Sequence, residues 1–304
     1  MADQNPAPSA HIDGEAKIGL ISGLAAYAIW GIMPVYFHML AGVPPEQIVV
    51  HRILWSVILL LCILALRGRM AAFRAAMTDK KLLGALTVSA LLIAFNWLLY
   101  IWAVLHQQVV AASLGYFLIP LLNVLLGRSL LGERLNQTQW LSVAMAAIGV
   151  AVLSIGAFSA MWISVLLALS FGLYGLVRKQ VVVGPMVGLS VETMVLMPFG
   201  IAAMLYWGAR GEVTFGVGIQ HILLPLAGVI TAIPLLLFAT AARRLTLSTL
   251  GLLQYVGPSI QLLLGLFVYG EHLTLAHKIA FPLIWGALCL YSWGAMRQPK
   301  TSPA

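Results

Sequence analysis

The feature that most restricts this chain is a run of about twenty residues without a charged side chain, repeated along its length. Ile18 to Leu40 contains no Asp, Glu, Lys or Arg, and comparable apolar stretches follow at 47–67, 82–105, 109–131, 138–156, 160–177, 187–207, 221–242, 246–269 and 274–294. A helical crossing of the hydrocarbon core takes about 20 apolar residues, so the pattern predicts ten transmembrane helices with short connections. With 62% apolar and 9% charged residues among 304, a soluble globule, in which about a quarter of residues are charged, is excluded. A membrane β-barrel is excluded as well, because its strands alternate polar and apolar residues and LSVAMAAIGVAVLSIGAF at 141–158 does not. The fold class is an all-α membrane bundle. Residues 1–17, polar and carrying Pro6 and Pro8, read as a disordered tail, and 297–304 form a second short tail.

The formal charge of +8 is explained by where the cations fall. Lys17, the cluster from Arg67 to Lys81, Arg128 and Arg134, Arg178 and Lys179, Arg243 and Arg244, and Arg297 and Lys300 all lie in one alternate set of connections. Fourteen cations occupy that set, against Arg210 and Lys278 in the other. By the positive-inside rule both termini are expected in the cytoplasm, which fits an even number of spans. These cations hold topology and meet lipid head groups, so the bilayer is the partner they imply and no nucleic-acid partner is expected. Cys62 and Cys289 lie in apolar stretches and form neither a disulfide framework nor a metal-ligand cluster.

An internal repeat divides the chain. Leu118 to Leu135 superimposes on Val256 to Leu273 at a constant offset, matching Pro120 with Pro258, Gly127 with Gly265, Gly132 with Gly270 and Glu133 with Glu271. The matched segments belong to the fourth and ninth spans. The expected units are therefore 18–156 and 160–296, with five crossings each. Two copies of an odd number of crossings enter the membrane in opposite directions, the inverted-topology arrangement of many secondary transporters.

The stretches AAYAIWGIMPVYF (25–37), HRILWS (51–56), NWLLYIWAV (96–104), SLGYFLIPLLNVLLG (113–127), LGERL (131–135), YGLVRK (174–179), LSTLGLLQYVGPS (247–259) and YGEHL (269–273) resemble the RarD proteins of the EamA branch of the drug/metabolite transporter superfamily. The resemblance covers about residues 18 to 296. It implies a ten-helix inner-membrane permease of two EamA repeats, in a group commonly labelled by a chloramphenicol phenotype. The implied function is secondary-active export of a small organic metabolite or drug by alternating access.

Few polar residues lie inside the spans, and each has two readings. Arg52 either snorkels to the outer interface or contacts an anion at the external mouth. His51 is either simply hydrogen-bonded or a coupling group, since imidazole titrates near neutral pH. Glu192 is either an interfacial carboxylate beside Arg178 or Lys179, or an internal acid that attracts a cationic substrate or carries a coupling proton. Asn96, Asn123, Gln254 and Gln261 either bridge helices or line a midplane cavity. Trp30, Tyr116, Tyr174 and Tyr255 either pack in the bundle or line a pocket. The candidate cavity is thus Trp30, Asn96, Tyr116, Asn123, Glu192, Tyr255 and Gln261, with His51, Arg52 and Glu192 as charge candidates. Pro120 and Pro258 are expected to kink or unwind their spans. Glu133 and Glu271, at helix ends, are expected to hold a loop or pair with Arg134 or another cation.

No GxxxxGK[ST], HExxH or GxSxG sequence occurs, so no nucleotide, metal or other cofactor is implied. An enzyme acting on lipid-linked substrates would need clustered catalytic groups, and the nine acids are scattered. A scaffold or sensor would need a soluble domain or long loop, whereas the longest internal connection spans about 68–81.

Overall fold

The computed structural model describes residues 8–105, 109–154, 161–268 and 275–296, and no strand occurs among them. The helices are α1 Pro8–Met39, α2 Pro45–Leu66, α3 Met70–Thr78, α4 Lys80–Leu105, α5 Val109–Leu131, α6 Gln137–Ser154, α7 Met161–Gln180, α8 Pro185–Arg210, α9 Gln220–Arg244, α10 Leu247–Leu253, α11 Val256–Phe267 and α12 Leu275–Met296. Among the described residues nine segments are long and apolar enough to cross a bilayer, α10 and α11 counting as one, and Leu275–Tyr291 is a shorter apolar helix. The chain is therefore a multi-pass helical membrane protein, and every apolar stretch in the sequence has its helix.

Two local expectations are corrected, at α1 and in the 67–81 connection, and the interruption expected at Pro258 is present. Helix α1 begins at Pro8, so most of the segment expected to be a disordered tail is helical. The 67–81 connection contains α3, which buries Phe73 and Ala76 and packs against α8. The ninth span is broken between Leu253 and Val256. Pro258 has no N–H to offer the carbonyl of Gln254, which instead accepts from Gly257 N at 3.1 Å in a tight turn. Pro120, its partner in the repeat, sits within the continuous helix α5. The two prolines thus have unequal effects.

The helices pack in a regular set of pairs: α6 on α12, α1 on α9 and α11, α5 on α7 and α10, α4 on α7 and α8, and α2 on α8 and α9. Small residues allow the closest crossings. A methyl group at Gly228 of α9 would lie 2.5 Å from the backbone of Trp55 in α2, and one at Gly251 would lie 2.7 Å from Asn123 Cβ and 3.0 Å from Pro120 O. Such close approach is how membrane helices gain dispersion energy where no hydrophobic force separates protein from lipid.

The repeat-matched Gly127, Gly132 and Glu133 form one structural unit. Gly132, at φ +67°, turns the chain after α5, and Glu133 N then reaches Gly127 O at 2.9 Å. A methyl group at Gly127 would stand 2.5 Å from Glu133 Oε2, so the bare backbone makes room for the carboxylate. That carboxylate accepts from Leu247 N, from Ser248 N at 3.0 Å and from Ser248 Oγ at 2.7 Å. The expected pairing of Glu133 with Arg134 or another cation gives way to a clasp on the start of α10. A carboxylate suits free N–H groups and the positive end of the helix dipole. Gly265 lies in α11, whereas Gly270 and Glu271 lie outside the described residues.

Candidate functional site

The interior is organised around the crossing of α5 with α10. Phe117 and Tyr255, which correspond under the repeat offset, touch: Tyr255 OH donates to Phe117 O at 3.3 Å, and the ring centroids are 6.3 Å apart. Tyr255 is fully buried, so its role in this arrangement is packing. Asn96 is also buried and joins α4 to α7, with Nδ2 donating to Leu167 O at 3.0 Å and Ser170 Oγ at 2.9 Å. Asn123 is buried beside Gly172 and Gly251, and its Oδ1 accepts no hydrogen bond. Gln261 is exposed and donates to Trp30 O at 3.3 Å, linking α11 to α1.

Trp30 belongs to an aromatic cluster that fastens α1, α7 and α9 together. Its ring lies 5.7 Å from Tyr27, 5.9 Å from Phe171 and 5.8 Å from Phe238. Tyr174 stacks on Phe238 at 5.7 Å and is fully buried, and Tyr27 OH donates to Leu250 O at 3.1 Å. The half-buried Trp30 packs against this core.

Glu192 and Arg178 form a buried ion pair, with Arg178 Nη1 to Glu192 Oε1 at 3.4 Å and side-chain exposures of 2% and 0% respectively. Ser89 Oγ of α4 also donates to Glu192 Oε1, and Arg178 Nη2 donates to Pro185 O at 3.3 Å. The expected pairing of Glu192 with Arg178 is met, whereas Arg178 belongs to α7 and not to the connection after it. Arg178 is in the last turn of α7 and points inward, in the space left by the bare Gly188. Glu192 Oε2 and Arg178 Nε accept and donate no further bond. Lys179 turns instead to α9, donating to Ala242 O at 3.4 Å and to Leu245 O.

Arg52 occupies a different setting. Helices α2 and α9 start at the same end of the bundle, where Ile48 packs with Leu223, Leu224 and Ala227, and Trp55 abuts Gly228. Arg52 lies one turn nearer that end than Ser56, yet its Nε donates to Thr231 Oγ1 at 2.8 Å, almost a turn beyond Gly228. The side chain therefore runs towards the middle of the bundle, opposite to snorkelling. Its guanidinium lies 4.6 Å from the ring centroid of Trp97, a cation–π contact. Among the described residues no carboxylate pairs with it. Tyr116 is half-buried and meets Tyr100 edge-on at 5.8 Å. The adjacent His51 is buried, its Nδ1 accepting from Trp55 Nε1 at 3.3 Å.

The candidate residues therefore separate into distinct places. Arg52 meets Thr231 and Trp97, and Tyr116 meets Tyr100 one turn on from Trp97; Trp30, Asn96, Asn123 and Tyr255 serve contacts between helices; Glu192 is held in its own ion pair. Sequence reasoning missed Trp97, Thr231, Ser89 and the inward course of Arg178. For Arg178 a signal existed: it lies four residues after Tyr174, on the same helical face. Thr231 and Ser89 carried none, because small hydroxyl residues are common in membrane helices.

A model of the EamA-like transporter family matches residues 17–155. An uncharacterized transporter of Vibrio cholerae is 42% identical over 281 residues, covering 91% of this chain and 93% of its own. Protein RarD of Escherichia coli K12 is 40% identical over 294 residues, covering 95% and 98%. A crystal structure of a protein 19% identical in sequence superimposes with a TM-score of 0.73 over 92% of this chain and 99% of its own, a likeness of fold.

Proposed function

Because the chain belongs to the EamA-like transporter family, we propose that it is a secondary-active exporter of a small organic molecule, working by alternating access between two inverted five-helix halves, 18–156 and 160–296. Both termini face the cytoplasm of a bacterial inner membrane in this reading. The observation that carries it is the pairing of the helices. Exchanging α1, α2, α4, α5 and α6 for α7, α8, α9, α10 with α11, and α12 turns the α1–α9 contact into α7–α4, α5–α7 into α11–α1, and α2–α9 into α8–α4. The pairs α2–α8, α5–α10 and α6–α12 map onto themselves. Phe117 touching Tyr255, its own repeat partner, is a contact that a pseudo-two-fold axis between the halves would produce. A bundle so related can exchange the conformations of its halves and reach inward-open and outward-open states of similar energy.

Trp30, Asn123 and Gln261 would be re-paired as the halves rock, and Tyr116 would face the transported molecule. Glu192, and more remotely His51, would be the groups through which protons couple to transport. The test is reconstitution of the purified protein in liposomes and a screen of metabolite flux with and without a pH gradient. Saturable flux is expected for at least one compound. Well-folded protein that moves nothing across a broad panel overturns the proposal. If flux persists unchanged in a Glu192→Gln, His51→Gln protein with the gradient collapsed, coupling to protons is wrong while transport stands.

A further inference from the structure

We infer that Arg52 is the anion subsite of the transported molecule and that the substrate class is an organic monocarboxylate with a flat apolar body. The inference rests on the transporter reading above and adds the chemistry of its cargo. A guanidinium inside a membrane bundle is costly unless it meets a partner or water. Arg178, also buried inside the bundle, has Glu192. Arg52 has one hydrogen bond, from Nε to the neutral Thr231 Oγ1. Its two terminal nitrogens donate to no acceptor among the described residues, and the side chain is only half-buried. The bond to Thr231 and the face of Trp97 fix the plane of the group and leave its outer edge free, the edge that holds a carboxylate through two parallel bonds.

The neighbours narrow the ligand. Trp97 offers aromatic surface beside the cation, and Tyr100, one turn on from Trp97 in α4, extends it to Tyr116, which suits a planar apolar body. A phosphate dianion would call for a second cation or a helix N-terminus, and neither accompanies Arg52 among the contacts of the described residues. An amino acid would need an acid for its ammonium group. Glu192, the acid within the spans, is occupied by Arg178 and Ser89. A lipid phosphate shares the anion chemistry, but the Arg52 side chain runs inward, away from the head-group level.

The experiment measures binding of benzoate, phenylacetate and indole-3-acetate, each beside its primary amide, to the full-length protein in nanodiscs of neutral lipid and again with anionic lipid added. At least one acid is expected to bind saturably, with its amide at least about tenfold weaker, as loss of charge-assisted bonds implies. Arg52→Gln should remove the preference for acid over amide. Arg52→Lys, which keeps charge but not the fork, and Thr231→Val, which frees the guanidinium, should each weaken acid binding by a smaller factor and serve if Arg52→Gln does not fold. Equal binding of acid and amide, an unchanged preference in the folded Arg52 variants, or no binding of any of the three acids overturns the inference. So does loss of acid binding in neutral lipid with Arg52-dependent capture of anionic lipid, which assigns the group to the bilayer. Flux of other compounds without acid binding leaves the transporter reading intact. Arg52-dependent acid binding in a protein that moves nothing leaves the subsite and removes the transporter reading.

Discussion

Removing one partner of the Arg178 and Glu192 pair strands the other charge in a place that water does not reach. The side chains are 0% and 2% exposed, and their contact is a single 3.4 Å bond rather than a two-bonded fork. After Glu192→Gln, Arg178 keeps Pro185 O as an acceptor and cannot discharge, because a guanidinium does not lose its proton in proteins. After Arg178→Met, Glu192 keeps the Ser89 hydroxyl and can neutralise itself by binding a proton. Breaking a buried pair typically costs about 3–5 kcal/mol; Glu192→Gln should fall at the upper end of that range and Arg178→Met at the lower. The double variant strands nothing and should cost about 1–2 kcal/mol, giving a coupling energy of several kcal/mol. The assay is reversible unfolding of the four proteins in mixed micelles at neutral pH, read as a double-mutant cycle. Additive single costs, or single costs below about 1 kcal/mol, would refute the reading of Arg178 and Glu192 as a coupled buried pair.

Other perturbations follow from close contacts. Glu133→Ala leaves Leu247 N and Ser248 N without their acceptor and should destabilise by about 2–4 kcal/mol, whereas Glu133→Gln should cost about half as much; thermal unfolding in detergent separates them. Gly228→Ala places a methyl group against the backbone of Trp55, which cannot swing aside as a side chain can, and should cost about 2–4 kcal/mol with a matching fall in melting temperature. Tyr255→Phe removes one hydrogen bond to Phe117 O and keeps the ring, so a loss of about 0.5–1.5 kcal/mol is expected in the same measurement.

Hydropathy made the membrane class and every crossing legible, since the cost of leaving backbone polar groups or charges in hydrocarbon is set residue by residue along the chain. The sequence match of 118–135 with 256–273 was legible too, because Pro, Gly and Glu in register stand out against apolar filler. Much of the candidate site was not. Glu133 looked like a loop acid, and its real partners, Leu247 and Ser248, lie more than a hundred positions away. Pro120 and Pro258 match in sequence, yet α5 runs through one and the ninth span breaks at the turn before the other. Tyr255 and Asn96 are cavity candidates by residue type, and only the structure shows the hydrogen bonds by which each joins two helices.

By itself, then, the sequence determined which segments are buried in lipid and which few polar residues enter with them. Which of those residues meet was decided by the tertiary structure. Arg178 and Arg52 are chemically the same group inside the same kind of helix, but among the described residues packing brings Glu192 to one and Thr231 and the face of Trp97 to the other. The first is thereby neutralised and the second left with donors to offer. The physical reason is that crossing the membrane is a property of one helix, whereas the pairing of charges depends on how helices far apart in the chain are turned against each other.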